Sequence, residues 1–427
     1  MRCVDTVVIG AGHAGLAVSR LMTAAGLEHV LLDRGRVAER WRSERWDSLR
    51  LLTPNWMTRL PGSCYTGPDP DGYASAADLV ARLERYAESF GAPLVTGTTV
   101  LEVSTATRPG LARFRIVTDA EIWQARNVVV ATGPHGRPHL PAGLSGLRVD
   151  VELVTSRTYR NPAGLAPGRV LVIGASASGV QIADELVSAG REVVLAVGRY
   201  TRMPRRYRGM DCFWWLEATG RLARTIEEVA DPVAARRETS LQLIGRADPA
   251  ARGGDLDLRS LQARGVRLVG RLRGVDGTSA SFAPDLGCHV ADADARMHRF
   301  LDAVDRHVDE AGLGVEVLPA VRPLPVQLDE APTHLDLKAE NVGTVIVAAG
   351  YRPHHPWLNV PVLAADGSIN QHRGVTEVPG LYVVGQPFQH RRDSGFIDGA
   401  RHDARMVVDH LLGAREPFSL GNRVAAA

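Results

Sequence analysis

Short apolar runs recur along the chain, and several of them end at a glycine. Thr6-Val7-Val8-Ile9 leads into Gly10-Ala11-Gly12-His13-Ala14-Gly15, and Val170-Leu171-Val172-Ile173 leads into Gly174-Ala175-Ser176-Ala177-Ser178-Gly179. An unbroken apolar run of this length predicts a strand buried on both faces. After each glycine turn the period changes. Ala14, Ala17, Leu21 and Ala25 repeat at helical spacing, as do Gly179, Ala183, Leu186 and Gly190. Both stripes are made of small residues, which lets a helix lie close against a sheet. Gly26 ends the first helix. A second strand follows in each unit: His29–Leu32 ends at Asp33, and residues 192–197 end at Gly198-Arg199.

Two more runs end in glycine, Asn127 through Ala131-Thr132-Gly133 and Thr344 through Ala348-Ala349-Gly350. A last one, Leu381 to Gly385, precedes a helical pattern over residues 396–413. Proline and glycine cluster at 134–146 and 161–168, where the chain is expected to cross between domains. The stretch 200–340 carries fewer signals and reads as the rest of the second domain with loops that shape a substrate site. The pattern predicts an α/β protein with two Rossmann-like dinucleotide-binding domains.

Each residue type in the first turn has a physical reason. Gly10 permits the tight bend, Gly12 lets the backbone approach a pyrophosphate, and Gly15 allows close helix–strand packing. The helix N-terminus, with its free N–H groups, favours the anion. Asp33 stands 23 residues after Gly10, where a carboxylate accepts hydrogen bonds from ribose hydroxyls. The second turn has Ser176 in place of the middle glycine and Arg199 in place of the acid. A carboxylate there would repel a 2′-phosphate, whereas a guanidinium forks onto it. The first site is therefore expected to hold an adenosine with a free 2′-hydroxyl, and the second to prefer NADPH to NADH. Arg202, Arg205 and Arg206 lie just beyond and read equally as a solvated face. Two dinucleotides side by side point to a flavin, FAD, reduced by NADPH.

Composition narrows the partners. Net charge is +2, and Lys338 is the one lysine among the 50 Lys and Arg residues. That balance argues against nucleic acid as a partner. Cys3, Cys64, Cys212 and Cys288 are scattered, with no CxxC pair. They form neither a metal knuckle nor a local redox dithiol, and they read as reduced thiols in a cytoplasm. His354-His355 has no second ligand cluster at metal spacing, so a loop is the reading and no metal is expected. No apolar run reaches the roughly 20 residues of a membrane span. The chain enters its first strand at once, which leaves no room for a signal peptide. A homodimer is left open.

The chain resembles the class B flavin monooxygenases, which include flavin-containing monooxygenases and the plant YUCCA type. The resemblance rests on the first glycine turn with Asp33; on Trp41-Arg42 and Trp46-Asp47-Ser48-Leu49-Arg50-Leu51; and on Ala131-Thr132-Gly133 with Pro138 and Pro141. The second turn with Val197-Gly198-Arg199, and Ala349-Gly350-Tyr351, complete it. It implies that NADPH reduces FAD and that the reduced flavin adds dioxygen to form a C4a-(hydro)peroxyflavin, protected by bound NADP⁺ and a dry pocket. It also implies that the NADPH domain is inserted into the FAD domain. The expected boundaries are 1–150 for the first part of the FAD domain, 151–335 for the NADPH domain, and 336–427 for the return with a C-terminal helix.

The candidate FAD residues are Gly10, Gly12, His13, Ala14, Gly15, Asp33, Arg34, Trp41, Arg42, Trp46, Thr53, Ala131, Thr132, Gly133, Gly385 and Gln386. The candidate NADPH residues are Gly174, Ser176, Ala177, Ser178, Gly179 and Arg199. Asn55 and Gln386 are the candidate catalytic hydrogen-bond donors near the flavin. The chain departs from the family at Thr155, where a histidine is expected, at Thr53-Pro54-Asn55, and at Gln386, where related flavoproteins carry an acid. Met210, Phe213, Trp214 and Trp215 are either a substrate wall or core. Arg391 to Ser394 either hold flavin or an anionic substrate, or cap the last helix. The reading is a monooxygenase acting on a small organic molecule with O2. An NADPH-dependent flavin oxidase or reductase and a non-catalytic nucleotide-sensing flavoprotein are the alternatives.

Overall fold

A computed structural model describes residues 1–106, 112–148, 150–244 and 256–413 of the 427-residue chain. The first sheet is built on β1 (Arg2–Ile9), β2 (His29–Leu32), β3 (Leu94–Val95), β4 (Val100–Thr105), β5 (Phe114–Thr118) and β6 (Ile122–Val130). β1 is central and runs parallel to both β2 and β6. β5 and β4 continue antiparallel beyond β6, and β3 extends the other edge. The strand Leu381–Val383 returns from the far end of the chain to pair with β6 in parallel. Val8, Leu31, Val129 and Tyr382 face α1 (His13–Ala24) and the helices α3 (Ala76–Glu88) and Ala400–Gly413. Val7, Ile9, Val30 and Val128 face the opposite side. That two-sided burial is what an unbroken apolar run requires. The short helix α2 (Glu39–Ser43) follows β2.

The chain crosses through β7 (Arg137–Pro138) and β8 (Gly146–Leu147) into a second sheet. Its core is β9 (Glu152–Thr155), β10 (Arg169–Ile173), α4 (Ala177–Ser188) and β11 (Val193–Ala196). The strand order is Arg267–Val269, β11, β10, Val342–Val347, β9, and every pair is parallel. Val170 and Val172 pack under α4, while Leu171 and Ile173 pack on Leu272, Val275 and Phe282 of a small four-stranded sheet. Because Val342–Val347 hydrogen-bonds to β10, the second domain continues past residue 336, and the return to the first sheet follows Gly350. Both crossings lie together, since β7 pairs antiparallel with Tyr351–Arg352.

Two elements depart from the sequence pattern. The C-terminal helix begins at Ala400, because residues Arg392–Gly395 form a 3₁₀ turn and Phe396 is extended. Within 200–340 there is a 25-residue helix, Leu286–Glu310. It buries Met297, Phe300, Leu301 and Val304 against Met203, Tyr207, Phe213 and Trp215, with Met57 of the first domain in the same cluster.

Candidate active site between two glycine turns

Register aligns the carboxyl ends of the first sheet. Ile9 is paired with Leu32 and with Val130, and Val130 with Val383. Gly10, Asp33, Ala131, Thr132, Gly133, Gly385 and Gln386 therefore share one edge. Ligands of doubly wound folds bind at this edge. Gly10 has φ +111°, and a Cβ on it would stand 2.6 Å from the Ala131 carbonyl oxygen. A Cβ on Gly15 would stand 1.9 Å from the Gly10 carbonyl oxygen. Gly12 faces open space, with no atom within 4 Å of an added Cβ. It is also the N-cap of α1, whose first turn has neither a side-chain cap nor an acidic residue. These amides are left for an anion.

Asp33 is held rigidly. Oδ2 accepts from the Ala11 amide at 2.7 Å and Oδ1 from the Gly35 amide at 2.9 Å. Each oxygen keeps a further lone pair for a ribose hydroxyl. Beside it opens a cavity of about 610 Å³, lined by Arg34, Gly35, Arg36, Glu39, Ser43, Thr96, Gly97 and Thr99. His13, in the turn itself, is held neutral by burial, with a pKa of about 4. His13 Nε2 and Gln386 Nε2 are buried without a partner. Ala14 meets the neighbouring Gly385, where an added Cβ would lie 3.0 Å from Ala14 Cβ. Buried polar atoms without partners are costly and rare. Two of them beside an open glycine turn fit a ligand rich in hydrogen-bonding groups, such as FAD.

The segment after β2 is placed differently from the turn. Trp41 is partly buried against the cores of both domains, with Arg45 stacked 5.1 Å from its ring. Arg42 is tied to Glu84 on α3. Trp46 is buried among Tyr159, Val180 and Leu186 of the second domain. Thr53 is half-buried. Asn55 opens the short helix Asn55–Met57, and its Nδ2 donates to the Asp69 carbonyl at 2.8 Å. One of its two N–H groups is thus committed to a loop.

The second turn repeats the backbone geometry of the first. Gly174 has φ +108°, and a Cβ on it would lie 2.5 Å from the Ala348 carbonyl oxygen. A Cβ on Gly179 would lie 1.7 Å from the Gly174 carbonyl oxygen. Ser176 is the N-cap of α4, but its side chain does not cap it, and Ala177 and Ser178 begin the helix. Arg199 is exposed at the end of β11 and spends one nitrogen on the Arg237 carbonyl at 3.3 Å. The arginines after it differ. Arg202 is fully buried between Asp294 at 2.8 Å and Asp257 at 3.5 Å. Arg205 donates to the Leu52 carbonyl and lies 4.3 Å from the Tyr73 ring centre. Both hold the fold, and Arg206 is exposed.

Three features escape a reading of local motifs. Arg271 follows the strand beside β11, and its stem lies 3.9 Å from where a Gly198 Cβ would be. Gln242 is fully buried, donates to the Ala175 carbonyl at 2.7 Å and leaves Oε1 without a partner beside the second turn. Between the two turns, Arg34, Arg40 and Arg157 converge on the single carboxylate of Glu44, at 2.6, 3.9 and 3.2 Å. Arg157 also donates to the carbonyls of His135 and Gly136. Burial, reinforced by Arg45, Arg40 and Arg157, pushes His135 down to about 3. Arg34, Arg40 and Glu44 are neighbours in sequence, and the tertiary fold brings Arg157 and His135 to them.

Remaining candidates resolve by their contacts. Thr155 ends β9 and bonds Thr158, while Tyr159 donates to Glu185 at 2.8 Å. Phe213 and Trp215 are core, and Trp214 stands edge-on to Trp215. Arg391 pairs with Asp393 at 3.0 Å, and Ser394 Oγ bonds Asp403 of the last helix at 3.1 Å. Arg391 and Ser394 form the capping box of the 3₁₀ turn Arg392–Gly395, and Ser394 ties that turn to the last helix. Burial pushes Asp403 up to about 7. His355 bonds the Gly367 carbonyl at 3.2 Å. The four cysteines are free.

Residues 7–224 match the model of the family described as pyridine nucleotide-disulphide oxidoreductase. The chain is 30% identical to "Uncharacterized oxidoreductase CzcO-like" of Geobacillus kaustophilus, across 96% of this chain and 98% of that protein. It is 28% identical to "Indole-3-pyruvate monooxygenase YUCCA4" of Oryza sativa subsp. japonica, across 48% of this chain and 50% of that one. The fold matches a flavin-containing monooxygenase from Stenotrophomonas maltophilia with TM-score 0.65 and 21% identity, covering 97% and 99% of the two chains. With two glycine turns of one geometry and a family model matching more than half of it, the chain belongs to the pyridine nucleotide-disulphide oxidoreductase family.

Proposed function

We propose that this protein is an NADPH-dependent FAD monooxygenase that inserts one oxygen atom of O2 into a small organic molecule in the cytoplasm. The observation that carries the reading is the pair of glycine turns, alike in backbone but followed by opposite charges, Asp33 and Arg199. The amides of Gly12, His13 and Ala14 would hold the FAD pyrophosphate and Asp33 its ribose. The amides after Ser176 would hold the NADPH pyrophosphate and Arg199 its 2′-phosphate. Bound flavin supplies hydride acceptance and dioxygen activation. The chain contributes position, charge and dryness: Gln386 and neutral His13 offer hydrogen bonds at the mouth of the first turn, and Met57, Phe213 and Phe396 exclude water between the domains. No helix among the described residues is long and apolar enough to cross a membrane.

Stopped-flow reoxidation tests the oxygenase step. Reduced protein mixed with O2 in the presence of NADP⁺ is expected to show a transient flavin–oxygen adduct before oxidised flavin returns. One-phase reoxidation with stoichiometric peroxide would assign the protein to the oxidase class instead. Arg199 tests the cofactor choice. A charge-assisted fork contributes roughly 1.5–3 kcal/mol, so Arg199→Ala is expected to raise the KM for NADPH roughly 10- to 100-fold. The KM for NADH should stay within about twofold, because NADH carries no 2′-phosphate for the guanidinium to hold. Equal shifts for both cofactors would remove the assignment.

A further inference from the structure

A second cavity, of about 290 Å³, lies between the segment around residues 221–238 and the loop after the last strand of the first sheet. Arg221, Arg224 and Arg392 line it, opposed by the single carboxylate of Glu238. Glu238 pairs with Arg392 at 3.1 Å. Arg224 donates only to the Glu228 carbonyl at 2.7 Å, and Arg221 lies over the Phe300 ring at 5.5 Å. Among the described residues, neither Arg221 nor Arg224 has an ion-pair partner. Burial, and after it the neighbouring Arg392, Arg224 and Arg306, lowers the pKa of Arg221. The floor is apolar: Ile226, Ala235 and Phe388 form a separate buried cluster with Val229 against it.

The walls are fixed in place. Ile226 N donates to the His390 carbonyl at 2.8 Å and Arg392 N to the Arg224 carbonyl at 3.0 Å. Phe388 has φ +45°, in the left-handed region that a bulky residue seldom adopts. Such strain persists where the surroundings impose it, and it clusters at ligand clamps. Here it turns the ring into the cavity floor, two residues beyond Gln386.

We propose that this cavity binds a small organic monoanion, with its charged end on Arg221, Arg224 and Arg392 and its apolar body on Phe388, Ala235 and Val229. Resting on the monooxygenase reading, the inference names the class of substrate that this site takes: a carboxylic acid with a ring or short alkyl body. Two unpaired guanidiniums supply forked donors to a carboxylate, and the floor supplies area for the body. At 290 Å³ the space is at the small end of ligand pockets, enough for one ring and its acid group.

Isothermal titration of the FAD-loaded protein with phenylacetate and with phenylacetamide tests it, since the two probes differ only in charge. Phenylacetate is expected to bind at least about tenfold more tightly, the scale of charge-assisted hydrogen bonds. Arg224→Gln is expected to reduce that preference about tenfold, and Arg224→Lys to restore part of it. Arg224 is exposed with a single backbone partner, so its replacement keeps the test independent of folding. Arg392→Gln is expected to act in the same direction. Equal affinity for acid and amide, no binding of either, or acid affinity unchanged in Arg224→Gln would overturn the proposal. So would a rise in the NADPH KM of Arg224→Gln without loss of acid affinity, which would assign the arginines to the cofactor. The readout is equilibrium binding, so failure of the oxygenase reading, seen as missing flavin or a missing oxygen adduct, is distinguished from failure here.

Discussion

Gly15→Ala is expected to purify with a much reduced FAD content. The added Cβ would lie 1.9 Å from the Gly10 carbonyl oxygen, well inside van der Waals contact, and the obstacle is backbone rather than a mobile side chain. Either α1 moves away from β1 or the Gly10 peptide turns. Overpacking of this kind costs about 1–3 kcal/mol, and both responses displace the amides that point at the pyrophosphate. Because those amides supply the anion site, FAD affinity should fall by roughly 5- to 150-fold from the overpacking cost alone. Absorbance of bound flavin after gel filtration measures it. Full flavin occupancy in Gly15→Ala would detach the first turn from FAD.

Gly179→Ala is the counterpart, with a different expected outcome. Its Cβ would lie 1.7 Å from the Gly174 carbonyl oxygen, so the steric conflict is at least as severe. The variant should remain yellow, since β1, α1 and Asp33 are untouched, but its flavin should be reduced by NADPH roughly 5- to 150-fold more slowly at limiting cofactor. Rapid mixing under anaerobic conditions follows the bleaching. Should Gly179→Ala lose FAD and Gly15→Ala lose NADPH reduction, the two turns would have to exchange roles.

Much of the site lies within reach of local pattern. The apolar runs into Gly10 and Gly174 became central parallel strands, and Asp33 and Arg199 stand at the strand ends where spacing put them. Such features depend on a handful of consecutive residues, so they survive in the sequence. Others depend on neighbours far along the chain. The strand Val342–Val347 reads like any buried run, and only its pairing with β10 shows that it belongs to the second sheet. Arg271 reaches the end of β11 because Arg267–Val269 is the adjacent strand. Trp46 carries no local sign that it packs on the second domain. Asn55 looks like a free donor in sequence, yet folding spends one of its two N–H groups on the Asp69 carbonyl. The helix Leu286–Glu310 does carry a stripe at helical spacing, Leu286, Val290, Ala293, Met297, Phe300 and Val304, but dense charge on its other faces dilutes the average signal.

The central claim is an electron path from NADPH at the second turn to FAD at the first. Anaerobic addition of one equivalent of NADPH to the FAD-loaded protein, followed by flavin absorbance, tests it most directly. The account predicts full bleaching of the flavin, with NADH much less effective at the same concentration. A flavin that stays oxidised under NADPH, or a protein that takes up no FAD on reconstitution, would contradict it.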